Sequence, residues 1–315
     1  MKIKKWYSAL VITGLCGLIL TSCTKPELDE SQKEIGIIQI IEHDCLDEAR
    51  KGFIDGLSEL GYKDSGNIRI DYQNAQGDQA VLNSIASGFV QNKKDLILAI
   101  STPAAQAVAN LTKDIPVLFT AVTDPKSSGI EALNITGTSD IVPVEKQIGL
   151  IKKLLPSAKK VAVLYCSNEI NSKIQAEMAA DAARKFGMET KDYTVSSTNE
   201  LQQVVEYMEK SIDAVFVPTD NLVVSSMPIV SKIATSRGIP IICSEVASVK
   251  NGALATYGMD YYELGKITAN QAAEILEGKN KPQNMPVQYL TDTKLTINYE
   301  IIEKLGLKIP DELRG

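Results

Sequence analysis

From residue 35 onward the chain alternates short, β-branched apolar runs with longer stretches whose apolar residues recur at helical spacing, the rhythm of parallel strands joined by helices. Residues 35–41 form a near-continuous apolar run, as expected of a strand covered on both faces. Asp44 then reads as a helix cap, and Leu46, Ala49, Phe53, Ile54 and Leu57 share one helical face up to Gly61. The same step repeats with strands predicted at 68–72, 96–100 and 117–120, and with Asp78 capping a helix to about residue 91. A second series starts after Val142-Pro143 with a helix to 155, a strand at 161–165 and a helix over 170–186. Strands at 190–194, 214–217 and 239–243 complete it.

An internal echo links the two series. Asp95-Leu96-Ile97-Leu98 leads to Ile115-Pro116-Val117 after 20 residues, and Asp213-Ala214-Val215-Phe216 leads to Ile239-Pro240-Ile241 after 26. One supersecondary step is used twice, the second time with a longer helix. The pattern predicts an α/β fold of two Rossmann-like lobes with parallel sheets. The first lobe is expected over 34–140 plus 257–285 and the second over 141–256 plus 286–315, with crossovers near 137–142, 256–260 and 284–287.

The first 22 residues do not share this rhythm. Lys2, Lys4 and Lys5 precede an apolar run over residues 9–20, which is well short of the ~20 residues that span a bilayer and reads as a secretion signal. The closing Leu20-Thr21-Ser22-Cys23 resembles a lipobox, so Cys23 is expected to become a lipidated mature N-terminus. Residues 23–33 are polar and read as a flexible tether, which places the protein on the extracytoplasmic face of the cell membrane. Removal of residues 1–22 turns the 33 basic and 39 acidic side chains into 30 and 39, a formal charge of about −9. Nucleic acid and polyphosphate are poor partners for such a surface.

Loss of Cys16 with the signal and lipidation of Cys23 leave Cys45, Cys166 and Cys243, an odd number that cannot all pair internally. Their wide spacing does not match zinc or iron–sulfur clusters, so no metal and no cofactor is expected, and buried packing roles are. His43 is the only histidine, and no G-x-S-x-G elbow supplies a nucleophile, which argues against an enzyme.

In sheets of this kind the ligand lies beyond the carboxyl ends of the strands, where helix N-termini offer free N–H groups. The loops there contain Glu42-His43-Asp44, Ser101-Thr102-Pro103, Thr123-Asp124, Ser167-Asn168-Glu169, Thr219-Asp220-Asn221 and Ser244-Glu245. Hydroxyls, amides and a few acids dominate, with no lysine or arginine, an inventory suited to the ammonium and carboxylate of an α-amino acid. Ser101, Thr102 and Thr123 are expected to meet the carboxylate and Glu245 with Asp220 the ammonium, while Asn168, Thr219, Asn221 and Glu42 complete the candidate ligand set. Thr102 reads as a helix cap with Pro103 in the first turn, compatible with a ligand role.

The segments Gln39-Ile40-Ile41-Glu42-His43, Ala49-Arg50-Lys51-Gly52-Phe53-Ile54-Asp55-Gly56-Leu57 and Ser101-Thr102-Pro103-Ala104-Ala105-Gln106 together carry a family likeness. Thr123-Asp124-Pro125, Pro218-Thr219-Asp220-Asn221 and Gly258-Met259-Asp260-Tyr261-Tyr262-Glu263-Leu264-Gly265 add to it. The chain resembles ABC-transporter substrate-binding lipoproteins of the tryptophan- and tyrosine-binding type, a branch of the type I periplasmic-binding-protein fold. The resemblance implies three crossovers, closure of the lobes on a free amino acid such as tyrosine, tryptophan or phenylalanine, and delivery to an ABC permease with a cytoplasmic ATPase. It also favours Glu245 for the ammonium, since related amino-acid receptors place an acid after this strand. Asp44 and Cys45 depart from the proline and alanine of many relatives.

Rival readings are a sugar or nucleoside receptor, a surface adhesin, a secreted enzyme and a repressor-type transcription factor. The signal, the acidic charge and the lack of an N-terminal helix-turn-helix oppose the last. Sugar receptors usually stack rings on tryptophan, and the sole tryptophan, Trp6, lies in the signal. Tyr165, Tyr257, Tyr261 and Tyr262 fall at strand ends or near the crossovers.

Overall fold

Apolar runs at regular intervals can stay dry only if they pair side by side under covering helices, and the computed structural model, which describes residues 32–314, shows this arrangement twice. The chain begins β1 (Lys33–Gln39), α1 (Asp44–Glu59), β2 (Ile68–Asn74), α2 (Gln79–Gln91), β3 (Leu96–Ile100), α3 (Thr102–Ala109), β4 (Val117–Val122) and β5 (Ile135–Ser139). It continues α4 (Val144–Leu154), β6 (Lys160–Cys166), α5 (Ile170–Lys185), β7 (Glu189–Val195), α6 (Thr198–Glu206) and β8 (Ala214–Val217). Next come α7 (Asn221–Ser225), α8 (Met227–Ser236), β9 (Ile241–Cys243), α9 (Val246–Lys250) and β10 (Ala255–Gly258). Helix α10 (Tyr261–Leu276), β11 (Gln288–Tyr289), β12 (Lys294–Ile297) and α11 (Tyr299–Leu305) finish the fold.

Two six-stranded sheets result, ordered β11-β5-β4-β3-β1-β2 and β12-β10-β9-β8-β6-β7. The orders correspond strand for strand, as the internal echo implies. All pairings are parallel except β10 with β12, so this is the expected α/β fold of two Rossmann-like lobes. In the first lobe α1 packs against α10 on one side of the sheet, and α2 packs against α3. The chain passes between lobes after β5 and again between β10 and α10. The third passage falls between Tyr289 and Lys294 rather than near 284–287, because Gln288 and Tyr289 still pair with Thr138 and Ser139 of the first sheet.

Strand β5 occupies a stretch read as the start of a crossover. Its residues Thr136, Thr138 and Ser139 are buried but polar, and tertiary hydrogen bonds replace apolar burial. Thr138 Oγ1 donates to Thr120 Oγ1 at 2.9 Å and lies 2.8 Å from Thr268 Oγ1, while Thr136 donates to the Met285 carbonyl at 2.8 Å. Helices α1 and α10 meet backbone to backbone. A Cβ on Gly52 would lie 2.0 Å from the Tyr262 carbonyl oxygen, and one on Gly265 would lie 2.0 Å from the Ala49 carbonyl oxygen. Glycine at both positions is therefore a packing requirement.

Among the described residues no helix is long and apolar enough to cross a membrane. The expected signal, Cys23 and most of the tether lie outside the described residues, and β1 already begins at Lys33. Cys45, Cys166 and Cys243 are free and buried.

Candidate functional site

The carboxyl ends of the two sheets face each other and enclose a buried polar cluster drawn from both lobes. In the first lobe, Ser101 follows β3 with φ of 93°, and Ala121, within β4, has φ of 56°. Such left-handed conformations are unfavourable for residues with a side chain and gather at ligand sites. The turn at Ala121 coincides with a register shift between β4 and β5 that redirects the chain into Thr123. Ser101, rather than Thr102, is the residue preceding the first turn of α3, and Thr102 and Pro103 open the helix. Ser101 Oγ is buried without a protein partner beside the N-terminus of α3.

Thr123 is locked in place by neighbours in its own lobe. Its Oγ1 donates to Asp140 Oδ1 at 3.0 Å, its carbonyl accepts from Ser139 Oγ at 2.8 Å, and Tyr261 donates to Asp140 Oδ2 at 2.8 Å. Burial pushes the Asp140 carboxyl above its usual range, an effect partly offset by the Tyr261 and Thr123 hydroxyls.

In the second lobe, Gln175 of α5 receives the Thr219 N–H at 3.0 Å and the Ser244 hydroxyl at 3.2 Å, and donates across the cleft to Thr123 Oγ1 at 3.4 Å. Gln147 donates to the Tyr257 carbonyl at 2.8 Å and accepts from Ser244 Oγ at 3.2 Å. Glu169 receives the N–H groups of Asn221 at 3.2 Å and Leu222 at 3.1 Å, together with the side-chain amides of Asn171 and Asn221. Burial and the nearby Asp220 push Glu169 up to about 8. Glu245, 1% exposed, is likewise pushed up to about 8, by burial first.

The lobes touch through His43, whose Nε2 lies 3.5 Å from Asn221 Oδ1 and whose Nδ1 lies 3.9 Å from Glu245 Oε2. Burial holds the imidazole down to about 4, so it is neutral at physiological pH. Asp140, Glu169, Asp220 and Glu245 are therefore gathered at the cleft with no buried lysine or arginine. Lys94, the buried lysine among the described residues, pairs with Glu34 and Asp71 at the amino ends of the strands. The electrostatics favour a cationic group on the ligand.

The fold brings Ser101, Thr102, Thr123, Thr219, Asp220, Asn221 and Glu245 of the expected set together in buried positions. Glu42 and Asn168 stand outside that cluster. Glu42 is exposed and accepts from the Tyr72 hydroxyl at 3.2 Å, and Asn168 is exposed at the rim of a cavity of about 210 Å³. In each case the next residue, His43 or Glu169, points inward instead. Asp220 is a cap: Oδ1 accepts from Val223 N–H at 2.8 Å and Oδ2 from Cys166 N–H at 2.6 Å, which leaves Glu245 as the acid with an unpartnered oxygen. His43, Asp140, Gln147, Glu169 and Gln175 were not among the expected ligand residues. The cavity lies between the lobes: Ile40, Ile41 and Pro103 form the apolar part of a first-lobe wall that also holds Gln76 and Gln79, and Ser196, Asn221 and Leu222 stand on the second-lobe side.

Cys45, two residues beyond His43, also enters this region. Atoms of His43, Cys45 and Glu245 capable of holding a metal ion lie within 4.8 Å of one another, although wide cysteine spacing gave no sign of it.

Residues 34–314 match the family model described as ABC transporter substrate binding protein. The sequence is 46% identical to a tyrosine-binding protein of Clostridioides difficile, over 98% of this chain and 94% of that one. A solved ABC domain from Streptococcus pneumonia in complex with L-Trp is similar at 39% identity and a TM-score of 0.86, over 90% of this chain and 97% of that one. The ligand-free, open structure of a substrate-binding protein with adhesive properties from Clostridium difficile matches at 46% identity and a TM-score of 0.66, over 89% of this chain and 96% of that one.

Proposed function

We propose, because this chain belongs to the family of ABC transporter substrate-binding proteins, that its cleft captures a free aromatic amino acid and presents it to a permease. Members of this family hold a solute for transport and do not transform it. The observation that carries the amino-acid reading is the pair of buried, unpartnered polar atoms at opposing strand ends. Ser101 Oγ beside a helix N-terminus suits a carboxylate, and Glu245 Oε2 among other acids suits an ammonium. Thr102 and Thr123 belong to the carboxylate side. The apolar patch of Ile40, Ile41 and Pro103 within the cavity lining suits an aromatic ring. The named ligands of the pneumococcal and clostridial relatives support tyrosine or tryptophan, with phenylalanine next.

Closure of the two lobes about their three crossovers is part of the proposal. The higher TM-score goes to the L-Trp complex although the open structure is the closer sequence, and this supports a ligand-bound spacing of the lobes here. We also place the protein on the outer membrane face through a lipid on Cys23, an arrangement supported by the lipobox-like tetrapeptide. A second role in surface adhesion draws support from the relative described as having adhesive properties.

A thermal-shift screen of the amino acids tests the leading reading. Ligand at ~100 times its dissociation constant adds about 2.7 kcal/mol of stability, a visible displacement of the melting curve. The expected result is stabilisation by tyrosine, tryptophan or phenylalanine. A shift with a sugar or nucleoside and none with an aromatic amino acid overturns it.

A further inference from the structure

His43, Cys45 and Glu245 form a group that capture of an amino acid does not require in full. His43 precedes α1, Cys45 is its second residue, and Glu245 precedes α9 in the other lobe. All three are buried, with ligating atoms within 4.8 Å of one another. Two of those atoms, His43 Nδ1 and Glu245 Oε2, are 3.9 Å apart and lack a hydrogen-bond partner. Nε2 of His43 faces the Asn221 carbonyl-type oxygen at 3.5 Å. That oxygen favours the proton on Nε2, so the Nδ1 lone pair points into the group, as an oriented metal-binding histidine requires.

We propose that His43, Cys45 and Glu245 bind a divalent transition-metal ion of the zinc class. One imidazole nitrogen, one thiolate and one carboxylate match its preferences, and three protein ligands leave a fourth position open. Access is provided by a second cavity of about 650 Å³ that Cys45 lines. Asp44, Asp47, Glu48, Asp260 and Asp292 line it too and outnumber Lys250 and Lys294, which favours entry of a cation. On binding, the Cys45 S–H bond breaks, its proton passes to solvent and Sγ donates its electron pair to the metal, with no change of oxidation state.

The test uses the full chain purified in detergent and stripped of metal with a chelator, without amino acid present. Titration with zinc chloride is expected to give one ion per chain. Cobalt(II) should give a thiolate-to-cobalt charge-transfer band in the near ultraviolet and the intense visible absorption of a four-coordinate site. Cys45→Ser should abolish the charge-transfer band and weaken zinc about tenfold or more, while Cys166→Ser changes neither. Absence of the band in the wild-type protein overturns the proposal whether or not the variant folds, and so does its retention in a folded Cys45→Ser. Because Glu245 is also the acid assigned to the ligand ammonium, the two readings are separated by their probes. Zinc without an aromatic amino acid response rejects only the ligand assignment, and the reverse rejects only the metal site.

Discussion

The Tyr261 hydroxyl donates to Asp140 Oδ2 at 2.8 Å, joining the first passage between the lobes to the second across 121 residues of sequence. Both groups are buried, so Tyr261→Phe leaves a desolvated carboxylate oxygen without its donor. The expected loss is about 1–3 kcal/mol in urea unfolding. The Asp140 carboxyl should also rise further, because the lost bond favoured its charged form.

Glu245→Gln keeps the side-chain shape and removes the charge assigned to the ligand ammonium. Aromatic amino-acid affinity should fall at least about tenfold by calorimetry, since an unpaired buried charge remains on the ligand. The melting temperature without ligand should be unchanged or higher, because burial already disfavours the ionised acid. Unchanged affinity would place the ammonium elsewhere.

The same burial makes binding depend on pH. Burial holds Glu245 and Glu169 near 8, above the ordinary value of 4.5. Between those values the folded chain holds protons that the unfolded chain has released, so its stability falls as pH rises through the window. An ammonium ligand reverses the preference and expels a proton. Affinity should therefore rise from pH 6 towards 8, by up to about tenfold per unit for each proton released. Calorimetry in buffers of different ionisation heat would count those protons. His43, held down to about 4, stays neutral throughout and does not offset the trend.

Gly52→Ala tests the contact between α1 and α10. The added methyl meets the Tyr262 carbonyl oxygen, a backbone atom that cannot rotate away. Overpacking of this kind costs about 1–3 kcal/mol or more, and the loss should appear equally with and without ligand. Gly88→Ala, on open space within α2, should leave stability unchanged or slightly raised.

Cys23→Ala tests the anchor. Membrane fractions of the wild-type protein should yield an acylated chain beginning at Cys23 by intact mass, and the variant an unprocessed precursor.

The alternation of strands and helices was legible because most strands are buried on both faces and read as apolar runs. Strand β5 was not, because its Thr136, Thr138 and Ser139 are held by hydroxyl bonds to distant residues that no local pattern reveals. At the site, Glu245 and Ser101 stand out by their places just after apolar strands. Glu42 and Asn168 sit one residue before the inward-pointing His43 and Glu169, and a one-residue difference at a strand end reverses the side-chain direction. The meeting of Glu245 with His43 and Cys45 depends on the approach of two lobes, to which spacing along the chain is blind.

The bonds that link Thr123, Asp140 and Tyr261 to one another close within the first lobe, and so does the strained turn at Ser101. Half of the pocket is thus built before the other lobe arrives. Under the proposed closure, a solute lands on that finished half at a rate set by diffusion and orientation, whereas its departure waits for His43 to part from Asn221 and Gln175 from Thr123. Residence time, more than capture rate, then becomes the quantity that changes to the cross-lobe contacts would tune.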